Sequence, residues 1–516
     1  MKKNSLTTAV VAGIAGVAGF AGLANAVHLN PDGIGQVLLY PYYTVNNHQQ
    51  TLLSVVNTTD IAKAVKVRFL EGYNSREVLD FNLFLSKYDV WTATVFALSD
   101  DGKPSDGAAI LTRDKSCTAP LFSEEGTNTS GGTPYVAFRE FAYAPPFGDG
   151  GPYSIDRTRE GHFEIISMAD LTGTLAAAVT HGSSGSPANC AAVRNLQGAE
   201  TGLVAPTSGL FGGAGVINGG QGTFFAYNAD ALERFTFQNI FTFTGSIEPS
   251  LKDVNDGVGA LGLQATANVF TGTGVTTSTY PGAVGSRRVD AVSAIFTANN
   301  IYNEYQTATS LSAGSDWVVT FPTKNFYVDD LRSGSTTAIP PFTRMYDGDT
   351  GASPRFSCVT VGLSIYDQEE KTTSGPPTGF SPPPIGAPPS SLCKEVNVIS
   401  FLNAANAPTQ SGVLGSRLVT NVKPIVGPAG WLRVNFDVPD PISGGPTLQH
   451  AMLAASNGNV FRGLPVTGFY AMNVVNNNAT VINGVSTLGN YSGVFNHRKS
   501  RNCTNANNTQ FGQACS

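Results

Sequence analysis

The chain has 516 residues, of which 13% are charged, with 57 glycines and a formal net charge of −6. Charged residues stand at about half the ~25% usual in globular domains. No basic block occurs, which removes the electrostatic case for nucleic acid or anionic lipid. A chain of this length can bury a large core and is expected to divide into two or three domains.

Lys2 and Lys3 supply a positive n-region, the apolar stretch from Val10 to Leu23 an h-region, and Ala24-Asn25-Ala26 a small-x-small cleavage site. Residues 1–26 therefore read as a secretory signal peptide, with cleavage expected after Ala26 and a net charge of −8 once Lys2 and Lys3 leave. No later apolar run approaches the ~20 residues that a membrane helix requires. The expected product is an exported chain without a transmembrane span.

Residues 27–112 carry the clearest pattern. Val65-Lys66-Val67-Arg68-Phe69 alternates apolar with charged residues, and Trp91-Thr92-Ala93-Thr94-Val95-Phe96 alternates in the same way, the period of strands with one buried face. Phe81, Leu83 and Leu85 share a face between them. This reading predicts a core of Val65, Val67, Phe69, Phe81, Leu83, Leu85 and Trp91, with Lys66 and Arg68 facing solvent. Turn signals at Asn57–Asp60, Glu71–Asn74 and Asp100–Lys103 separate the runs. Short strands at such spacing predict a mostly β protein of immunoglobulin-like β-sandwich domains with long Gly/Asn/Ser-rich loops, although the Cys–Trp–Cys pattern of true immunoglobulin domains is missing.

Residues 113–285 read as a Gly-rich irregular or β region, with surface loops expected at Thr127–Thr133 and Ser208–Gly222. Residues 286–516 read as a second β domain with a Pro-rich insertion at 376–389. Strand-like periodicity returns at Val292–Tyr305, Trp317–Phe321, Phe356–Tyr366, Val396–Phe401, Trp431–Val438 and Thr467–Val475. Leu311–Phe321 faintly echoes Leu85–Phe96, which hints at a second sandwich. Ala229–Gln238 and Pro446–Ser456 are the two helix candidates.

The six cysteines, Cys117, Cys190, Cys358, Cys393, Cys503 and Cys515, form an even set, which in an exported chain reads as three disulfides. Neighbour pairing is the preferred one of the 15 possible connectivities. No C-x-x-C is present and no His sits at ligand spacing from a cysteine, so metal binding by thiolates is disfavoured.

Several motifs lack the context their chemistry needs. Gly182–Pro187 (GSSGSP) resembles a serine-protease nucleophile loop, but His28, His48 and His162 sit in unrelated contexts and His181 lies three residues from Ser184, too local for a triad. Leu464–Gly468 (LPVTG) matches a sorting signal letter for letter, yet a strand-like, Asn-rich segment follows it, so a turn leading into a strand is expected. Asp253–Gly257 resembles a calcium loop, with Gly257 one place early and Gln264 at the bidentate position. Asp347-Gly348-Asp349 is a second acidic turn, so calcium is the one cofactor kept open, with no other cofactor expected. The Gly clusters at 212–215 and 219–222 complete no nucleotide-binding motif. Glu124-Glu125, Glu164 and Asp170 are the acidic groupings of the middle region, and whether two carboxylates reach glycosidase separation is a matter of fold. The run Tyr40-Pro41-Tyr42-Tyr43 fits core or edge packing better than a sugar-stacking platform.

Val27–Tyr43 (VHLNPDGIGQVLLYPYY), Leu53–Asp60 (LSVVNTTD) and Val65–Glu71 (VKVRFLE) together resemble the exported cell-surface proteins of Gram-negative bacteria, a family that brings no catalytic residues. The resemblance implies an extracellular or cell-surface location and no residue roles. Expected is a non-catalytic structural or interaction protein of the envelope, with other envelope proteins, itself or surface glycans as partners. An exported polysaccharide-binding or polysaccharide-cleaving protein is the alternative. No catalytic residue is assigned.

Overall fold

The computed structural model describes residues 25–103, 105–122, 128–257, 264–272, 274–282, 287–346, 356–372, 391–401, 409–422, 427–440, 448–476, 480–482, 484–487, 489–506 and 515. The Pro-rich stretch 376–389, Glu124-Glu125, Asp347–Asp349 and residues 1–24 lie outside these residues.

In chain order, the first half contains β1 (Val37–Thr44), β2 (Gln50–Asn57), β3 (Ala62–Glu71), β4 (Glu77–Leu85), β5 (Val90–Ala97), β6 (Ala108–Leu111), β7 (Cys117–Ala119), β8 (Thr133–Ala137), β9 (Glu160–Leu171), β10 (Leu210–Asn218), β11 (Thr223–Asn228) and β12 (Asp230–Glu233). An eight-stranded sheet runs His28–Leu29, β12, β1, β9, β3, β4, β7, with Leu203–Val204 added beside β9. A seven-stranded sheet runs β11, β10, β2, β5, β6, β8, Thr129–Ser130. The two sheets share one core. Val65, Val67 and Phe69 of β3, with Phe81, Leu83 and Leu85 of β4, pack with Trp91 and Val95 of β5 and Leu53 and Val55 of β2, as the alternation requires. Phe163 of β9 stacks between Tyr40 and Phe69, with ring centroids 4.1 and 4.9 Å away.

The opposite face of the eight-stranded sheet departs from the expectation. Lys66 and Arg68 are 0% and 2% exposed rather than solvated, and all residues of β1, β3 and β9 are buried. The reason is a second cover. The segment around Thr242–Ser246 lies over this face, where Lys66 donates to the Ser246 carbonyl (3.0 Å) and Asn82 to that of Thr242 (3.0 Å). The short helix Gly173–Val179 and Val193 cover the β3–β9 end.

Segment 113–285 supplies strands to both sheets, one of them at the centre of the eight-stranded sheet. β9, within it, is the inner neighbour of both β1 and β3. The loop expected at Ser208–Gly222 is instead strand β10 followed by a turn, 219–222, into β11. Its glycines answer close approaches. A Cβ on Gly212 would stand 2.1 Å from the Tyr40 hydroxyl, and one on Gly215 would stand 2.2 Å from the Phe224 ring. The helix candidates are also corrected. Ala229–Gln238 contains β12, drawn into the sheet beside β1, and Leu448–Gln449 pairs with Pro439–Asp440 as a short strand. Tertiary pairing overrode local propensity in both.

The second half begins with the hairpin β13 (Gln264–Thr271) and β14 (Gly274–Pro281) and the buried helix α1 (Val289–Phe296), which replaces the strand expected to open Val292–Tyr305. There follow β15 (Asn300–Gln306), β16 (Ala313–Thr320), β17 (Gly362–Asp367), β18 (Val396–Phe401), β19 (Val419–Val422), β20 (Ala429–Asn435), β21 (Phe469–Val474) and β22 (Tyr491–Asn496). A four-stranded sheet (β17, β20, β15, Arg498–Ser500) and a five-stranded sheet (β19, β18, β16, β21, β22) share a core around Tyr305, Trp317 and Phe401. Val318, Val396, Val398, Phe469 and Ala471 of the five-stranded sheet join the core of the first half. Contact continues through polar groups. Thr320 donates to the Pro41 carbonyl (2.7 Å), and the Glu160 carboxylate accepts from Ser416 Oγ and from the Arg417 and Leu418 amides at 2.7–3.0 Å.

Disulfides join Cys117–Cys190, Cys358–Cys393 and Cys503–Cys515, each cysteine to its neighbour in sequence. Among the described residues no helix is long and apolar enough to cross a membrane.

Candidate functional site

Two regions are candidate sites. The first is interior. On β3 and its neighbours Arg68 is bonded to Glu77 (2.9 Å) and to Glu164, Lys66 to Asp80 (2.9 Å), and Lys63 to Asp170 (2.8 Å). Burial pushes the Glu77 carboxyl up to about 7 in spite of the Arg68 charge. His162 has neither ring nitrogen hydrogen-bonded, and burial, with Arg68 nearby, pushes its pKa down to about 3. It is a neutral core histidine.

At the end of the same strands the Glu71 carboxylate accepts from the amides of Tyr73, Asn74 and Arg76, closing the turn expected at Glu71–Asn74. Arg157 grips both Glu71 oxygens (2.8 and 3.1 Å) and Asp149 (2.6 and 3.1 Å), with its guanidinium 4.1 Å from the Tyr143 ring centre. Burial opposes the Asp149 charge, but the Arg157 hydrogen bonds and charge, with Arg76 beside them, hold its pKa at about 2. A glycosidase pair needs open space between its two carboxyls for sugar and water. Here a guanidinium fills that space. The adjoining cavity, lined by Arg76, Asp149 and Asp329, measures about 190 Å³, below the roughly 300–1,000 Å³ of ligand pockets.

The second region is open. On the outer face of the seven-stranded sheet lies a groove of about 810 Å³, lined by Leu52, Ser54, Thr92, Thr94, Gly213, Gly215, Phe224 and their neighbours. Period-two alternation places these residues outward, opposite Leu53, Val55, Ala93 and Val95 in the core. Phe224 is 49% exposed. The sequence does not mark it, because an apolar residue in Thr-Phe-Phe-Ala-Tyr-Asn does not announce its face. The one signal present is Gly215, whose missing side chain leaves the place the ring occupies.

The sequence motifs fall elsewhere. Ser184 sits in an exposed turn closed by the His181–Pro187 bridge. His181 turns away from it towards Ser86 (3.2 Å) and Asp89 (3.7 Å), both on Nδ1, whereas a relay needs base and orienter on opposite ring nitrogens. His28 Nδ1 lies 3.1 Å from the Ala26 carbonyl, and His48 pairs with Asp100 at the surface. Thr467 is buried, bridges Thr320 through its backbone and donates its hydroxyl to Asp230, so LPVTG is interior chain ahead of β21. The Asp253 carboxylate accepts from the Ser250 amide (2.9 Å), and Asp256 accepts from Gln264 and Thr266 (2.8 Å each), so protein donors hold oxygens of the would-be calcium loop. Among the described residues no group of three or more His, Cys, Asp or Glu side chains is placed to hold a metal ion. Tyr40, Tyr42 and Tyr43 are fully buried, the core reading of that run.

Set against family models, curated proteins and solved structures, the chain matches none.

Proposed function

We propose that this chain is a non-catalytic structural or interaction protein of the Gram-negative cell surface or envelope, acting by surface complementarity. The observation that carries the reading is the fate of the clustered carboxylates. Glu71 and Asp149 are both gripped by Arg157, Glu77 and Glu164 by Arg68, and Asp170 by Lys63, whereas the open groove carries hydroxyls and aromatic rings. Internal ion pairs of this kind tie strands together rather than activate a nucleophile or a water.

Export rests on the tripartite signal of residues 1–26 and on three disulfides, which persist in oxidising compartments. The surface location rests also on the likeness of the first mature residues to exported cell-surface proteins. We read the face-to-face sheets of the first half as an enlarged sandwich of immunoglobulin-like type, and the four- and five-stranded sheets as a second one.

Fractionation of the producing cells with N-terminal sequencing tests the reading. A chain starting at Val27 in the envelope or medium is expected. An intact Met1 terminus in the cytoplasm refutes the location, and release of reducing sugar from glycans by the purified protein refutes the non-catalytic assignment.

A further inference from the structure

We infer that the outer groove of the seven-stranded sheet, continued past its edge onto β22, binds a linear acidic polysaccharide of the uronate class. The inference rests on the surface-interaction reading above and names the ligand of that surface.

Depth comes first. Gly213 and Ala226 stand where larger outward strand residues would otherwise fill the face, so the floor is lowered there, while the Phe224 ring takes the place that a side chain on Gly215 would fill. A second groove of about 510 Å³ shares Ala226, Tyr227 and Asn228 with the first and continues onto Phe495, Asn496 and Arg498. The seam between them is closed by Ser492, whose hydroxyl accepts from the Phe224 amide (3.0 Å) and donates to the Phe224 carbonyl (2.8 Å). From β6 through β5, β2 and β10 to β11 there are four steps of about 4.8 Å, roughly 19 Å in all, and the second groove carries the path on to β22. That is the footprint of an extended oligosaccharide rather than of a single small molecule.

Two aromatic rings are braced along this path. The Phe224 ring occupies the space that a Cβ on Gly215 would take, and Phe495 stacks on buried Tyr470 at 5.7 Å and 29°. They remain 49% and 44% exposed. A ring supported from below presents a flat apolar face, the surface on which the C–H face of a pyranose stacks. Ser54 and Thr92, cross-strand partners, and Thr94 offer hydroxyls on the side of Phe224 away from Phe495.

Charge selects the class. The protein is acidic overall, yet among the described residues no Asp or Glu lines either groove, while Arg113 stands at one end and Arg498 at the other. Neither arginine is paired with a carboxylate among the described residues. Arg113 contacts Thr133 (3.3 Å) and Arg498 the Asn496 carbonyl (3.5 Å). An arginine fork suits the carboxylates of a polyuronate.

The test is affinity electrophoresis of the mature protein through gels containing polygalacturonate, alginate or dextran. Retardation by at least one polyuronate and not by dextran is expected, weakening as salt is added. Phe224→Ala should weaken it about tenfold, the worth of one stacking contact. Ala226→Trp, an outward substitution that fills the seam without touching the core, should abolish it at unchanged thermal stability. Arg113→Gln should remove part of the salt dependence. Failure of both polyuronates to retard the protein overturns the inference, as does equal retardation by dextran or full retardation of Ala226→Trp. Sedimentation that shows a dimer broken by Ala226→Trp would give the groove to a second copy and also overturn it. An envelope-located protein that no polyuronate retards would refute the ligand while leaving the surface reading intact.

Discussion

Replacing Arg68 by alanine tests whether the polar face of β3 is interior. Arg68 is 2% exposed and bonds Glu77 and Glu164, themselves 5% and 1% exposed. Removing the guanidinium leaves two buried carboxylates without their cation, and breaking one buried pair costs about 3–5 kcal/mol. That equals the roughly 3–5 kcal/mol expected for Phe69→Ala on the apolar face of the same strand. Replacing Arg68, Glu77 and Glu164 together by apolar residues of similar volume should recover most of the loss, because no charge is then stranded. The pH dependence has a definite sign. Glu77 titrates at about 7 in the fold against 4.5 unfolded, and losing Arg68 raises the folded value further. A carboxyl whose folded pKa is raised contributes stability fully below its unfolded value and loses it as pH rises through the folded one. The penalty of Arg68→Ala should therefore be least near pH 4.5 and greatest above pH 7. Urea unfolding of the mature protein, followed by tryptophan fluorescence at pH 5 and pH 8, measures both quantities. An Arg68→Ala variant within about 0.5 kcal/mol of the parent, the range of surface substitutions, would place this face in solvent and refute the reasoning.

His162, buried and neutral with a pKa near 3 against 6.5 unfolded, supports stability above pH 6.5 that is lost as pH falls towards 3; His162→Phe should flatten that acid limb by one proton, worth about 5 kcal/mol at full titration. Urea midpoints between pH 7 and pH 3 will show it, and identical limbs would count against a neutral buried ring. Alkylation without reductant should modify no cysteine, and a Cys117→Ser/Cys190→Ser pair should cost about 4 kcal/mol on the chain-entropy model for its separation of 73 residues. Peptide mapping that links Cys117 to any cysteine other than Cys190 would contradict the pairing. Thr467→Ala should lower stability by about 1–3 kcal/mol, because Asp230 loses a buried donor, and should leave cell attachment unchanged. Release of the Thr467→Ala protein into the medium at normal stability would restore the sorting signal.

What the sequence by itself determined is local. The core of Val65, Val67, Phe69, Phe81, Leu83, Leu85 and Trp91 was legible because a strand has period two and each residue declares its face relative to its neighbours. The turn at Glu71–Asn74 was legible for the same reason, its carboxylate capping amides two to five residues away. The tertiary structure decided what lies on the far side of a strand. Alternating lysine and arginine look the same whether water or protein faces them, and their partners, Glu164 and the Ser246 carbonyl, come from about 100 and 180 residues away. The Gly-rich segment 208–222 became a strand flanked on both sides because Tyr40 and Phe224 occupy the space its missing side chains leave, a fit set in part by residues distant in sequence. The groove likewise exists only after folding, since Thr92, Gly215, Phe224 and Phe495 share a surface through sheet pairing and the packing of two halves of the chain. Periodicity tells a residue which side it is on; only the packing of distant segments determines what waits there.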